Sequence, residues 1–205
     1  MGELSSKDRL LNAAIKLFAE NGVKGTPVRA LCKEADVGLN MVVHYFGSKE
    51  GLVNDLLLNV SPDMYRTPLR IINEPAKDKA DFTVRLRLFC EETLQTLIEN
   101  KDLLEIIYNW KEIIHLPAYA EAMKGVSDYQ TSFIKFLESG KKIRVVRADA
   151  DLPMISGLLW DRFATQILHH KPITQIFKGA DITEKKFRKK WLEGNLDILC
   201  LGLLH

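Results

Sequence analysis

A short stretch near the N-terminus, VGLNMVVHYFGSKEGL, carries an unusual mixture of side chains for a helix stabilised only by burial. A helix this short needs a clean apolar face if packing alone is to hold it, and polar and apolar residues are mixed here. If Val42 and Phe46 face inward, helical geometry turns their neighbours outward. The residues then predicted on the outer face are Asn40, Met41, Val43 and His44. The pattern indicates a helix whose outer face contacts another molecule.

The chemistry of these four side chains suits the edges of DNA bases. An asparagine amide can pair with adenine, Met41 and Val43 can pack on thymine methyl groups, and His44 can reach a base or a phosphate. Phosphate contacts are predicted for Tyr45 and Lys49, helped by the positive end of the helix that begins there. A phosphate contact is also predicted for Thr26, at the start of an earlier helix.

Three helices and a tight turn must position these residues. A first helix is predicted to begin at Ser5 or Ser6, because apolar residues then recur at spacings of three and four, and to stop at Gly22. Thr26, followed by proline, is predicted to cap a second helix. Asp36 tolerates the positive φ that a tight turn needs.

The third helix is predicted from Leu39 to about Tyr45, and Ser48 is predicted to cap a fourth that begins at Lys49. Slim residues before the turn and apolar anchors after it allow two helices to cross steeply. The sequence therefore predicts a helix-turn-helix.

Beyond residue 60 the helical segments lengthen. They are predicted at about 80–100, 101–115, 118–139, 152–170 and 183–204, and only 142–147 has local strand character. We therefore predict an all-α chain with a helix-turn-helix DNA-binding domain at 1–55 and a larger helical ligand-binding and dimerisation domain at 56–205.

Composition narrows the function classes. The 205 residues carry 29 basic and 27 acidic side chains, so the overall charge does not favour binding to nucleic acid or to a membrane surface. The cysteines, Cys32, Cys90 and Cys200, match no paired metal spacing and predict reduced, buried thiols in a cytoplasmic protein. No leader, membrane span or catalytic motif is recognisable, and we expect neither an enzyme nor a cofactor or metal site.

The stretch from Lys7 to about Leu57 resembles the DNA-binding domain of the TetR (tetracycline repressor) family of bacterial transcriptional regulators. The resemblance is carried by AAIKLFAENG, the start at Thr26, the ADV turn, the YF pair and SKEGL. It implies a homodimer that binds a palindromic operator, usually as a repressor released by a small ligand. The sequence departs from the family pattern at Cys32, Asp36, Gly38 and Val43.

The larger domain offers candidate ligand-binding and dimerisation residues. Aromatic and histidine side chains could line a site for an apolar or aromatic effector, although such residues are often simply core. The candidates are Tyr108, Trp110, His115, Phe133, Phe136 and Trp160, with Tyr119 as a further possibility. The last two predicted helices are apolar on more than one side, which favours a four-helix dimer interface, or else a large core.

A competing interpretation stays open from the sequence. The first fifty residues hold seven basic and six acidic side chains, a net charge of only +1, and Val43 replaces a tyrosine common in the family. The chain could then be a helical interaction module whose helix-turn-helix no longer binds DNA. An all-α enzyme is a third class.

Overall fold

The protein is described by a computed structural model that covers residues 4–60 and 63–204. Within these ranges it is helical, and its extended backbone pairs only at an isolated antiparallel bridge between Val146 and Leu204. The prediction of an all-α fold with an N-terminal helix-turn-helix is confirmed. No helix among the described residues is long and apolar enough to cross a membrane.

The N-terminal helices are α1 (Ser6–Gly25), α2 (Val28–Glu34), α3 (Met41–Phe46) and α4 (Lys49–Asp55), and a π-helical turn follows at Leu56–Val60. The later helices are α5 (Asp63–Ile71), α6 (Lys79–Glu99), α7 (Lys101–Tyr108), α8 (Pro117–Lys142), α9 (Leu152–Leu168), α10 (His170–Ile176) and α11 (Lys185–Leu203). A 3-10 turn, Trp110–Glu112, lies between α7 and α8.

The predicted helix signals near the N-terminus are mostly correct. Ser5 caps α1 by accepting a hydrogen bond from the Asp8 N–H at 3.1 Å. Gly22 has a φ of 73° and interrupts α1, although helical hydrogen bonding resumes as far as Gly25. One assignment is wrong: α2 starts at Val28 with Pro27 at its cap position, so Thr26 is not its cap.

Two long predicted helices are shorter than expected, and α5 and α10 were not predicted. The segment predicted at 101–115 leaves helical geometry at Asn109 and continues as the 3-10 turn. The segment predicted at 152–170 ends at Leu168. Pro172 lacks the N–H that would have bonded to the Leu168 carbonyl, so α9 stops there and α10 starts afresh with proline in its first turn.

The chain forms two compact units, each described here by itself. The first contains the described part of residues 1–63 together with 100–125, and the second contains 64–99 and 126–204. In the first unit α7 packs along α1. The lengthening of the helical segments after residue 60 predicts that residues 100–125 belong to the larger domain, whereas they lie in the first unit. The functional boundary at residue 55 remains a prediction.

The first unit has a small core under the helix-turn-helix, where α1, α2 and α3 meet. Its fully buried members are Leu10, Ala13, Cys32, Ala35 and Val42. The partly buried residues Val28, Val37, Met41 and Phe46 pack around them. Burial raises the pKa of the Cys32 thiol, which suits a cysteine used for packing.

The second unit has an aromatic core. Phe82 and Phe136 stack with ring centroids 5.0 Å apart, and Phe89 and Phe133 stack at 4.7 Å. Cys90 is also buried in this unit, and burial raises the pKa of its thiol far above the usual range. The predicted burial of the cysteines is correct for Cys32 and Cys90, whereas Cys200 is only half-buried.

The turn between α3 and α4 yields a stability prediction. Gly47 has a φ of 75°, and nothing lies within 4 Å of a Cβ placed there, so Gly47→Ala adds backbone strain without a clash. We expect unfolding to become easier by about 1 kcal/mol, or roughly 2–4 °C in Tm.

Gly125→Ala is the matched control. Gly125 lies inside α8 with open space around its Cβ position, so alanine should stabilise the protein by about 0.5 kcal/mol. Thermal denaturation of both variants checks the signs, and a Gly47→Ala protein as stable as the parent would contradict the strain argument.

Candidate nucleic-acid interface

The turn between α2 and α3 is fixed by backbone hydrogen bonds and one arginine. Asp36 adopts a φ of 50°, as predicted, and the next residue, Val37, donates its N–H to the Cys32 carbonyl at 3.0 Å. Arg9 reaches across from α1 and donates from Nη2 to the Asp36 carbonyl oxygen at 3.2 Å. The N-terminal part of α1 therefore helps to set the direction in which α3 leaves the turn.

The outer face of α3 is exposed. Asn40, Val43 and His44 are all on it, as predicted, and Val43 is 63% exposed. Tyr45 is also exposed, and its ring meets the His44 imidazole edge-on with 4.8 Å between centroids. This face presents an amide, an aliphatic side chain, an imidazole and a phenol next to one another.

Two residues of this region differ from the prediction. Met41 is partly buried and packs on the helix-turn-helix core, so the prediction that it lies on the outer face is wrong. Leu39 is 55% exposed and was missed as a surface residue. Leu39 lies in the turn before α3, which begins at Met41 and not at Leu39.

The prediction for Thr26 is corrected by its burial. Its side chain is 1% exposed, and its hydroxyl donates to the carbonyl oxygens of Leu17 and Gly22 at 3.1 and 2.8 Å. A hydroxyl has one proton to donate, and these carbonyls hold it. The side chain therefore closes the end of α1 and is not free to bind a phosphate.

The Lys49 ammonium is also held inside the first unit. Its Nζ donates to the carbonyl oxygens of Val23 and Thr26 at 2.9 and 3.1 Å. Because an ammonium has three protons, at most one remains for another partner. The predicted phosphate contact from Lys49 thus competes with a structural role that the sequence did not reveal.

The start of α4 has fewer free amides than predicted. The Ser48 hydroxyl oxygen accepts from the Gly51 N–H at 3.0 Å, which confirms the predicted cap. The Glu50 pKa is lowered, first by its own backbone N–H and then by the Ser48 hydroxyl. A carboxylate already stands at this helix start, where the predicted phosphate would bind.

The predicted ligand-binding residues fall into two separate groups. Tyr108, Trp110 and His115 belong to the first unit and are exposed, and their role in ligand binding stays a prediction. The other three, Phe133, Phe136 and Trp160, are buried in the core of the second unit. Tyr119, in the first unit, is half-buried.

A small cavity of about 10 Å³ lies within the aromatic core of the second unit. Its lining includes Phe133 and Trp160, whereas Phe136 is packed against Phe82 instead. Thr93 and Tyr129 add a buried pair of hydroxyls 2.5 Å apart, and burial raises the Tyr129 pKa well above its usual value. The other lining residues are Phe89, Ser156, Leu159 and Phe163.

A wider apolar groove runs between α9 and α11 in the second unit. Its volume is about 440 Å³, and Leu158 and Ile198 are 61% and 72% exposed in it. Arg162 borders the groove, donating from Nε to the Asn195 side-chain oxygen at 3.0 Å and lying 4.9 Å from the Trp191 ring. Such exposed aliphatic side chains on neighbouring helices are typical of surfaces that another protein covers.

Within the described residues, no group of three or more His, Cys, Asp or Glu side chains is arranged to hold a metal ion.

The chain is similar to known bacterial regulators both in its N-terminal region and along most of its length. Residues 10–56 match the family model described as bacterial regulatory proteins, tetR family. The HTH-type transcriptional repressor KstR2 of Rhodococcus jostii is 26% identical over 200 residues, which cover 96% of this chain and 92% of that protein.

Two solved structures are similar to the chain along nearly its full length. The ketosteroid transcriptional regulator KstR2 of Mycobacterium tuberculosis superposes with a TM-score of 0.77 at 18% identity, covering 100% of this chain and 97% of that one. The TetR family transcriptional regulator PfmR of Thermus thermophilus gives 0.73 at 18% identity, covering 97% and 100%.

The position of Lys49 yields a prediction that separates its two roles. In Lys49→Met the aliphatic stem stays while the carbonyls of Val23 and Thr26 lose their donor, so we expect a loss of about 1 kcal/mol in unfolding free energy. The dependence of log DNA affinity on log salt should keep its slope, because no phosphate contact is removed.

Urea denaturation and DNA titration over a range of salt concentrations check this. Lys135→Met, at an exposed lysine of α8, is the matched control and should leave both quantities unchanged. If the slope of the Lys49 variant flattens by about 0.9 with no loss of stability, Lys49 binds a phosphate.

Proposed function

Since residues 10–56 match the model of the tetR family of bacterial regulatory proteins, we propose that the chain is a regulator of this family, which represses transcription as a homodimer that binds a palindromic operator and leaves it when a small effector binds. The observation that carries the proposal is the exposed face of α3 on a helix-turn-helix, with Asn40, Val43 and His44 side by side. A cytoplasmic location follows from a function on bacterial DNA.

In this proposal α3 enters the major groove and reads bases. Asn40 pairs with an adenine edge, Leu39 and Val43 pack on thymine methyl groups, and His44 donates to a base or a phosphate. Tyr45, at the edge of the same face, donates its hydroxyl to a phosphate. The support is exposure and side-chain chemistry.

Phosphate binding has to come from other groups than Thr26, which is buried. Arg29 and Lys33 are exposed cations on α2, the helix that crosses the backbone in a helix-turn-helix, and we assign them this role. The first fifty residues carry a net charge of only +1, so one half-site contributes weak electrostatic attraction. Useful affinity then depends on two half-sites bound at once.

We assign the dimer interface to α9 and α11, because the groove between them exposes aliphatic side chains that a second copy would cover. A twofold arrangement brings the same two helices of each copy together as a four-helix interface. Arg162 and Asn195, already hydrogen-bonded to each other, give this interface a polar border.

We assign the effector site to the aromatic core of the second unit. Phe133 and Trp160 supply apolar surface, and the Thr93 and Tyr129 hydroxyls supply polar anchors, a combination that fits an apolar or aromatic molecule with one polar substituent. A cavity of about 10 Å³ is far too small for such a molecule, so the core has to open as it binds. The name of the similar M. tuberculosis protein, a ketosteroid regulator, agrees with a large apolar effector.

Selection from random duplex DNA tests the function directly. At near-physiological salt we expect the protein to retain a palindrome whose half-site centres lie about 34–36 Å, or a multiple of this, apart. His44→Ala should relax the sequence at one position of each half-site and weaken binding there by about 1–3 kcal/mol. Folded, effector-free protein that enriches no sequence would exclude the operator function and favour an interaction module.

The dimer assignment predicts which surface substitutions separate the two copies. Leu158→Asp and Ile198→Asp each place a carboxylate in the groove, where a partner would bury it, so both should give monomers in analytical ultracentrifugation. Each should also lose most of its operator affinity.

Ile176→Asp is the matched control, because Ile176 is 71% exposed on α10 and does not line the groove. It should remain dimeric. Dimers that survive both groove substitutions would place the interface elsewhere.

A further inference from the structure

The end of α1, after its kink at Gly22, is held from two sides by charged groups. Gly22 breaks the helical geometry with a φ of 73° and a ψ of 165°, which frees the peptide groups that follow. The Glu112 carboxylate accepts from the Val23 N–H at 2.6 Å and the Lys24 N–H at 3.1 Å. On the carbonyl side, Lys49 donates to Val23 and Thr26.

The fit around Glu112 is close. A Cβ at Gly22 would lie 3.0 Å from both Glu112 carboxylate oxygens, a tight contact, and the positive φ of this residue favours glycine. Two consecutive N–H groups directed at one carboxylate form charge-assisted hydrogen bonds, which are stronger than bonds between neutral groups. Glu112 is therefore a specific clamp on this segment and not a surface carboxylate that happens to be near.

The clamp connects two parts of the first unit that the sequence separates widely. Glu112 lies in the 3-10 turn directly after α7, which packs along α1. The clamped segment leads into α2, and Lys49, on its other side, begins α4 immediately after α3. The segment held by Glu112 is thus joined to α2 along the chain and to the start of α4 through Lys49.

We propose that Glu112 is a positioning residue for DNA binding: by holding the Val23 and Lys24 amides it sets the placement of α2 and α3. Glu112 touches no base or phosphate in this proposal. The inference rests on the proposed operator function, which supplies the affinity to be measured.

The test compares Glu112→Ala and Glu112→Gln with the parent protein and with Glu121→Ala. Glu121 is an exposed carboxylate on α8, paired only loosely with Lys124 at 3.8 Å, and serves as the matched control. The probe is the operator recovered from random duplex DNA. Stoichiometric titration counts the binding-competent molecules, so that the affinity refers to folded protein alone.

We expect Glu112→Ala to bind the operator roughly tenfold more weakly, with full stoichiometry and an unchanged salt slope. Glu112→Gln, whose amide oxygen still accepts a hydrogen bond, should fall between it and the parent. Amide hydrogen exchange at Val23 and Lys24 should accelerate in Glu112→Ala and not in Glu121→Ala.

Other outcomes overturn the proposal in distinguishable ways. A lower stoichiometry with unchanged affinity shows that Glu112 only stabilises the fold. Unchanged affinity and stoichiometry, with faster exchange at the two amides, shows that the clamp exists but does not position the DNA-binding helices. If the parent protein selects no operator, the proposed function is wrong, and so is the inference that rests on it.

Discussion

The helix-turn-helix depends on the burial of one short helix. α3 has six residues, too few to be stable in water on its own, so its position is fixed by what it packs against. Val42 is 1% exposed among Leu10, Ala13, Cys32 and Ala35, which come from α1 and α2. Each residue on the outer face of α3 takes its direction from that contact.

The fold class and the helix-turn-helix could be predicted from the sequence because their signals are local. The Ser5 and Ser48 caps, the positive φ at Asp36 and the inward position of Val42 each depend on a few neighbouring residues. The exposed positions of Asn40, Val43 and His44 follow from one inward residue and helical geometry. Whether they contact DNA remains a prediction.

The errors concern partners that are distant in the sequence. Thr26 is a residue type that often caps helices, but its hydroxyl closes the end of α1. Lys49 resembles a phosphate ligand, but its ammonium donates to the carbonyl oxygens of Val23 and Thr26, which are distant in the sequence. Tyr108 and Phe133 both looked like lining residues, but Tyr108 is exposed, whereas Phe133 borders the small cavity of the second unit. No periodicity in the sequence distinguishes these cases, because three-dimensional packing decides them.

Several charged side chains of the first unit bond to its own peptide groups, which limits how strongly the unit can attract DNA phosphates. Lys49 and Glu112 satisfy peptide groups at the end of α1 and at Thr26, and Glu50 places a negative charge at the start of α4. Groups committed in this way fix the shape of the domain but add little attraction for phosphates. A DNA-binding domain whose helices are firmly positioned but whose net positive charge is small gains affinity mainly when two copies bind together at the correct spacing. In such a protein a small change of geometry suffices to release DNA, which is the property that regulation by an effector requires.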